Sequence, residues 1–273
     1  MSDTTPQAGA GEPQALLKKA VALAMGVGAP QSWAGAAQCL RAAAAAGSAS
    51  ARAQLAILAP DGGEVRPDEW AAPLAKRVLS TSPRVVAIDG FLSAAACDWI
   101  VARAAPHLTA AKVYGPDGAA SGAGSSRTNS AFEFGFGDLD VVLVMARAKI
   151  AAAIGAPLGA LEPPQVLSYE VGQSFHRHHD FLDPALPGHA ADIARHGQRA
   201  VTFLTYLNAN FEGGETDFPL LGLRHKGGRG DALYFANLDA AGVGDRRTVH
   251  EGRAPTAGRK WLLSQWIRNR ARV

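Results

Sequence analysis

Hydrophobic positions follow two rhythms along this chain, and the change of rhythm divides it. Between Pro13 and Ala24 the apolar residues Leu16, Leu17, Ala20, Val21, Leu23 and Ala24 recur at helical spacing, which predicts an amphipathic helix ended by Gly26 and Gly28. Ser32 is placed to cap a second helix running through Cys39 and Leu40 to Ala46, where Gly47 stops it, and a third covers 50–58 ahead of Pro60. The polar, Pro/Gly-bearing residues 1–12 are expected to be disordered, so the helical segment is 13–60. Residues 61–83 read as a linker with one short helix over 69–78. VVAIDGFLS (85–93) gives a strand and turn, and Ser93 caps a helix that runs to Ala104. Another helix is predicted over 138–154. From 165 onward the period shortens. VLSYE, AVTFLTYL, ALYFAN, TVHEG and KWLLSQWI read as strands separated by Gly, Asn, Asp and Pro turns. Helices followed by many short strands give an α+β chain: a β-barrel or sandwich with an α-helical half.

The candidate chemistry is concentrated in residues 168–183, SYEVGQSFHRHHDFLD. Alternation along a strand puts His178 and Asp180 on one face and turns His179 to the other. His250 offers a second imidazole, and Lys260 follows ten residues later. Two imidazoles and one carboxylate, with positions left open, suit non-haem Fe(II). A zinc site built from the His-rich tract is the competing reading. His176 shares the face of His178 and is placed to line the mouth of the site or to bond substrate.

Composition narrows the field. With 273 residues, 48% hydrophobic and 19% charged, the chain has room for one sizeable core and an appendage, or for two small domains. A net charge of +3 and no basic run interleaved with aromatics argue against a nucleic-acid partner. Arg268, Arg270 and Arg272 read as a solvated terminal strand or tail. Every long apolar stretch is broken by charge, Gly or Pro, so no membrane span is expected. The N-terminus lacks the basic start and apolar run of a signal peptide. Cys39 and Cys97 are far apart and form no CxxC, which fits a reducing cytoplasm.

Several phrases then recur in a fixed order. Tyr169-x-x-Gly172-Gln173-x-Phe175-x-x-His178-x-Asp180 is followed by TFLTYLN (202–208), FEGGETDFP (211–219), GDALYFAN (230–237), DRRTVHEG (245–252) and GRKWLLSQWI (258–267). Over 84–273 this series resembles the prolyl 4-hydroxylase group of Fe(II)/2-oxoglutarate-dependent oxygenases. The resemblance implies a double-stranded β-helix, or jelly roll, with supporting helices. It implies Fe(II) on His178, Asp180 and His250, and 2-oxoglutarate as cosubstrate with Lys260 and Tyr169 at its distal carboxylate. Thr202 and Trp266 correspond to pocket-lining positions, with plain core packing as the other reading. O2 is consumed, and ascorbate is a candidate supporting reductant.

Arg127-Thr128-Asn129-Ser130 is similar to an Arg-Thr-Ser phrase in the family's substrate-covering loop, so the Gly/Ser-rich stretch 114–130 reads as a lid or as a surface loop. Arg127 and His176 are the candidate substrate contacts. The GGET phrase (213–216) reads as a tight turn without a catalytic role. The reaction implied is hydroxylation of proline in a peptide or protein, with release of succinate and CO2. A free amino acid or small metabolite is the alternative substrate, and a non-catalytic binding module is the alternative of another class. Asp180 separates the chain from halogenases, which lack the carboxylate; Lys260 separates it from nucleic-acid demethylases, which place arginine there. Residues 42–58 resemble the junction of two Sel1-like repeats. That would give the N-terminal helices a protein partner, whereas a helical cap on the catalytic domain is the other reading.

Overall fold

The computed structural model describes residues 11–111, 113–114, 120–121 and 126–271. Of the disorder expected over 1–12, residues 1–10 lie outside them and Gly11 and Glu12 are instead helical, and most of the 114–130 stretch also lies outside them. The described helices are α1 (Gly11–Met25), α2 (Trp33–Ala45), α3 (Ala49–Leu58), α4 (Pro67–Trp70), α5 (Ala94–Ala104), α6 (Val141–Ile154) and α7 (Pro187–His196). The chain divides into two compact units: residues up to 72 together with 137–149, and residues 73–136 together with 150–273.

In the first unit, Ser32 Oγ accepts the Gly35 N–H at 3.0 Å and Ser48 Oγ accepts that of Ala51 at 3.1 Å, so hydroxyls cap α2 and α3. Helix α1 starts at Gly11, two residues ahead of Pro13, with Glu12 in its first turn where the helix dipole favours an acid. Ala20, Ala24, Ala36 and Ala43 are fully buried. Residues 137–149 group with these helices, although the family resemblance over 84–273 takes them in with the strands. Gln54 Oε1 accepts the Val141 N–H at 3.0 Å, and Asp140 caps α6 through the Leu143 N–H at 2.9 Å.

The second unit carries the strands: β1 (Arg77–Thr81), β2 (Arg84–Ile88), β3 (Thr109–Ala110), β4 (Val113–Tyr114), β5 (Ala120–Ser121), β6 (Ser130–Glu133), β7 (Gln165–Tyr169), β8 (Phe175–His178), β9 (Arg199–Tyr206), β10 (Phe211–Gly213), β11 (Thr216–Phe218), β12 (Leu223–His225), β13 (Ala232–Ala236), β14 (His250–Gly252), β15 (Pro255–Gly258) and β16 (Lys260–Arg268). An eight-stranded sheet runs β1-β2-β13-β9-β16-β7-β6-β3, and a four-stranded sheet runs β12-β11-β14-β8. Tyr169, Leu204, Tyr206, Leu233, Phe235 and Leu262 of the large sheet share one core with Phe218 of the small one, and Phe218 meets Phe235 edge-on at 5.0 Å. Two antiparallel sheets packed on one core form the expected jelly roll.

Strand β16 lies between β7 and β9, and all nine of its residues are buried. Its sequence therefore shows no polar alternation, yet period two still sorts its faces: Lys260, Leu262, Ser264 and Trp266 line one cavity.

Two further expectations need correction. The helix predicted over 69–78 is the single turn α4, and residues 77–81 instead form β1, paired with β2. Pro73 interrupts the helical run, and pairing with β2 satisfies the backbone beyond it. Arg268 is no solvated tail residue. It is 4% exposed, donates to the Gly197 carbonyl at 2.6 Å and to Asp192 at 2.7 Å, and sits against Glu162, which Arg199 also grips with two bonds of 2.8 and 3.0 Å. Burial opposes ionisation of Glu162, but the two guanidiniums outweigh it and hold the carboxyl below its usual range.

Candidate metal and cosubstrate site

Strand β8 ends at His178, and β14 begins at His250. The register of these two strands sets the histidines directly opposite each other, with ring centroids 4.3 Å apart. His178 Nδ1 lies 2.7 Å from the His176 carbonyl, and His250 Nδ1 lies 3.0 Å from the Thr248 carbonyl. A carbonyl only accepts, so each Nδ1 carries the proton and each Nε2 turns a lone pair to the site. Asp180 follows β8 in a bend, and its two oxygens lie 3.5 Å from the two Nε2 atoms. All three ligand atoms fall within 4.8 Å of one another. Phe175 stacks on His178 at 3.5 Å and fixes the ring plane.

Protonation suits a metal as well. Burial, reinforced by His178, pushes the His250 pKa down to about 4 against the pull of Asp180, so its Nε2 is free to ligate near neutrality. Burial also opposes ionisation of Asp180, but His250, His178 and the Thr202 hydroxyl outweigh it and hold the carboxyl well below its usual range.

Thr202 is not among the residues lining the cavity that runs from the triad to Lys260. Its hydroxyl donates to Asp180 Oδ2 at 2.7 Å and accepts from Asn237 Nδ2 at 2.9 Å, so it orients the carboxylate from behind. Thr202→Val removes that donor at nearly constant volume. Iron affinity should fall about 10- to 100-fold, the usual cost of losing such a partner. Titration of the apoprotein with Fe(II) checks this; unchanged affinity would leave Thr202 a packing residue.

Lys260 is fully buried, and among the described residues Nζ has no hydrogen-bond partner. It stands opposite Tyr169 in the β16–β7 register, 5.0 Å from that ring's centroid. Burial lowers the lysine pKa to about 7, with Glu215 pulling the other way, and pushes the Tyr169 phenol up to about 12. The cavity reaching from the triad to Lys260 is lined by Tyr169, Leu167, Leu204, Leu262, Thr216 and Trp266. An isolated buried ammonium is costly, and a dicarboxylate seated here would supply the missing charge.

A pH dependence follows. Above about 7 the empty site holds neutral lysine, and a bound carboxylate must bring in a proton. Affinity for 2-oxoglutarate should therefore drop by roughly tenfold per pH unit above that value, up to the pKa of the complex. The unfolded chain keeps the lysine protonated up to its ordinary value of 10.5, so between about 7 and 10.5 the ligand-free fold gains stability as pH rises. Calorimetry in two buffers of different ionisation enthalpy would detect the proton uptake; none at pH 8 would contradict it.

A second cavity, about 190 Å³, adjoins the first at Arg127, Phe175, His178, Asp180 and Trp266. One water needs roughly 15 Å³ on such a measure, so this space admits a ligand group. Arg127 is 6% exposed, donates to Asn129 Oδ1 at 3.1 Å and lies 4.5 Å above the Phe175 ring. His176 also lines this second cavity but stays outside the ligand trio. His179 Nε2 contacts the Arg246 carbonyl at 3.0 Å, turned from the triad, and Arg259 donates to Ser168 on the face away from Lys260. Thr216, read in the sequence as part of a turn, belongs to β11 and lines the first cavity; its hydroxyl is 3.1 Å from that of Tyr206. The alternation of Thr216 with Phe218 is the signal that places it inward.

Residues 164–268 match the 2OG-Fe(II) oxygenase superfamily. Prolyl 4-hydroxylase 1 of Arabidopsis thaliana is 31% identical over 208 residues, 71% of this chain and 72% of that protein. A probable prolyl 4-hydroxylase 9 of the same plant is 32% identical over 71% of each. Among solved structures, the viral collagen prolyl hydroxylase of Paramecium bursaria Chlorella virus-1, as its 2-oxoglutarate complex, superposes with a TM-score of 0.51 at 28% identity, covering 67% of this chain and 94% of that one. Fold and donor set thus define a dioxygenase that uses Fe(II), 2-oxoglutarate and O2. The chain belongs to the prolyl 4-hydroxylase family of that superfamily.

Proposed function

We propose that this enzyme hydroxylates proline residues within a peptide or protein, converting 2-oxoglutarate and O2 to succinate and CO2 in the same turnover. The carrying observation is that His178, Asp180 and His250 stand where two cavities meet, one running to Lys260 and the other offering space for substrate. His178 and His250 would hold Fe(II) through Nε2 and Asp180 through its carboxylate, and the metal would supply the oxidising chemistry. Lys260 and Tyr169 bind the far carboxylate of the cosubstrate. Leu167, Leu204 and Leu262 keep water from its chain, which strengthens the charge pairing. Arg127 and His176 contact substrate. The proline assignment is supported by the names of the plant relatives and of the viral collagen hydroxylase.

The test is succinate formation with Fe(II), 2-oxoglutarate and a proline-rich peptide, with and without ascorbate, followed by mass analysis of the peptide. Peptide-stimulated succinate with one oxygen added at proline is expected. Turnover that the peptide neither stimulates nor shares would redirect the search to small metabolites, and failure to bind either cofactor would favour a binding module.

The N-terminal helices are proposed to recruit a protein partner, supported by the solvated Lys18–Lys19 pair on α1. Charge reversal of both lysines should raise KM for a protein substrate and spare that of a short peptide; equal effects on both would end the idea. A cytoplasmic location is proposed from the free, buried Cys39 and Cys97. Cell fractionation that places the protein in an oxidising compartment would overturn it. Among the described residues no helix is long and apolar enough to cross a membrane.

A further inference from the structure

Between Asp180 and β9 the chain forms α7, a segment that the metal and cosubstrate roles leave unused. His189, in the first turn of α7, lines the second cavity. The backbone N–H of Asp183 donates to its Nδ1 at 3.1 Å. A nitrogen that accepts carries no proton, so the neutral ring bears its hydrogen on Nε2. Among the described residues that buried Nε2 has no hydrogen-bond partner. Trp266 Nε1 is in the same condition, on a residue that lines the same cavity. Buried donors are normally satisfied, so an acceptor held in this cavity would find two donors on its lining residues, although Trp266 lines the first cavity as well.

The charges around the cavity point the same way. Among the described lining residues Arg127, Arg177 and Arg199 carry guanidiniums, that of Arg199 already held by Glu162, while the carboxylate is Asp180, bonded to Thr202 and a member of the triad. The ligand must therefore bring acceptors. A proline inside a chain does so: it has carbonyls on both sides and no N–H of its own. A free amino acid would bring an ammonium, and among the described lining residues no unengaged carboxylate meets it.

We propose that His189 is a substrate-binding residue, its Nε2–H donating to a main-chain carbonyl of a peptide held beside the triad. This rests on the peptidyl reading above. The experiment measures KM for an acetylated, amidated proline-rich peptide, and KM for 2-oxoglutarate, in wild type, His189→Ala and His189→Gln. Glutamine can carry an N–H near the position of the imidazole Nε2. Loss of one neutral hydrogen bond predicts a peptide KM raised about three- to tenfold in His189→Ala, with the 2-oxoglutarate KM unmoved and His189→Gln within about twofold of wild type. A peptide KM unchanged in the alanine variant overturns the proposal while leaving peptide hydroxylation standing. Glutamine as impaired as alanine also overturns it, since the ring then serves only the 183–189 turn. A wild type that never hydroxylates the peptide removes both readings together.

Discussion

His178→Ala is expected to lower succinate formation by about 10³-fold or more, because the several kcal/mol that a bound metal contributes corresponds to at least that factor at 1.36 kcal/mol per decade. The variant should also purify with little iron. His178 ends a strand, is only partly buried, and bonds through Nδ1 to a carbonyl two residues away in its own chain. Thermal unfolding of the metal-free protein should thus move little. The informative comparison is His179→Ala. That ring points to Arg246, away from the triad, so iron content should stay near wild type. Normal iron and normal turnover in His178→Ala would refute the assignment of the metal ligands; collapse of both in His179→Ala would show that neighbouring packing, not ligation, governs the site.

Lys260→Met should act in opposite directions on binding and on stability. Met keeps the length and apolar character of the stem but removes the ammonium. The distal carboxylate of 2-oxoglutarate would then be buried without a cation, and stranding one member of a buried charge pair costs about 3–5 kcal/mol. KM for 2-oxoglutarate should rise by roughly 10²- to 10⁴-fold. The ligand-free protein should instead become more stable, by about 1–3 kcal/mol, because an unpartnered buried amine has been replaced by a group with no polar demand. Calorimetry without and with saturating 2-oxoglutarate separates the two effects. A variant that unfolds earlier when ligand-free would show that Lys260 already has a compensating partner in the resting protein.

Other groups near the site respond to the same reasoning with smaller effects. Thr202 acts on the metal through Asp180, and the 2-oxoglutarate pH profile reads the protonation of Lys260. His189 belongs to the substrate cavity and should leave both untouched. Together these variants assign each side chain to one of three bound species.

Much of the core was legible because local chemistry and fold agree there. Ser32 and Ser93 cap helices where the sequence places caps, and the strands carrying VLSYE, AVTFLTYL, ALYFAN and KWLLSQWI form as predicted. His178 and Asp180 stay on one side although β8 ends between them, because the bend after His178 returns the carboxylate to the same point. Failures occurred where local preference was weak and a distant partner decided. Residues 77–81 have no strong helical or strand signature, and only the open edge of β2 makes them a strand. Arg268 carries a charge that looks solvated in sequence, yet Glu162 and Asp192 receive it in the interior. Neither carboxylate lies within 70 residues of it, so no local window contains the pair.

By itself, the sequence determined which atoms are available: two imidazoles, one carboxylate and a lysine, on strands whose period of two fixes which neighbours share a face. Tertiary structure decided what those atoms do. Register sets His250 against His178, burial above all lowers the Lys260 pKa to about 7, and the meeting of β9 with the bend at Asp180 gives Thr202 its carboxylate. The division has a physical cause. Side-chain direction is a local property of the backbone, whereas desolvation and hydrogen-bond satisfaction depend on what the rest of the chain brings to the same place.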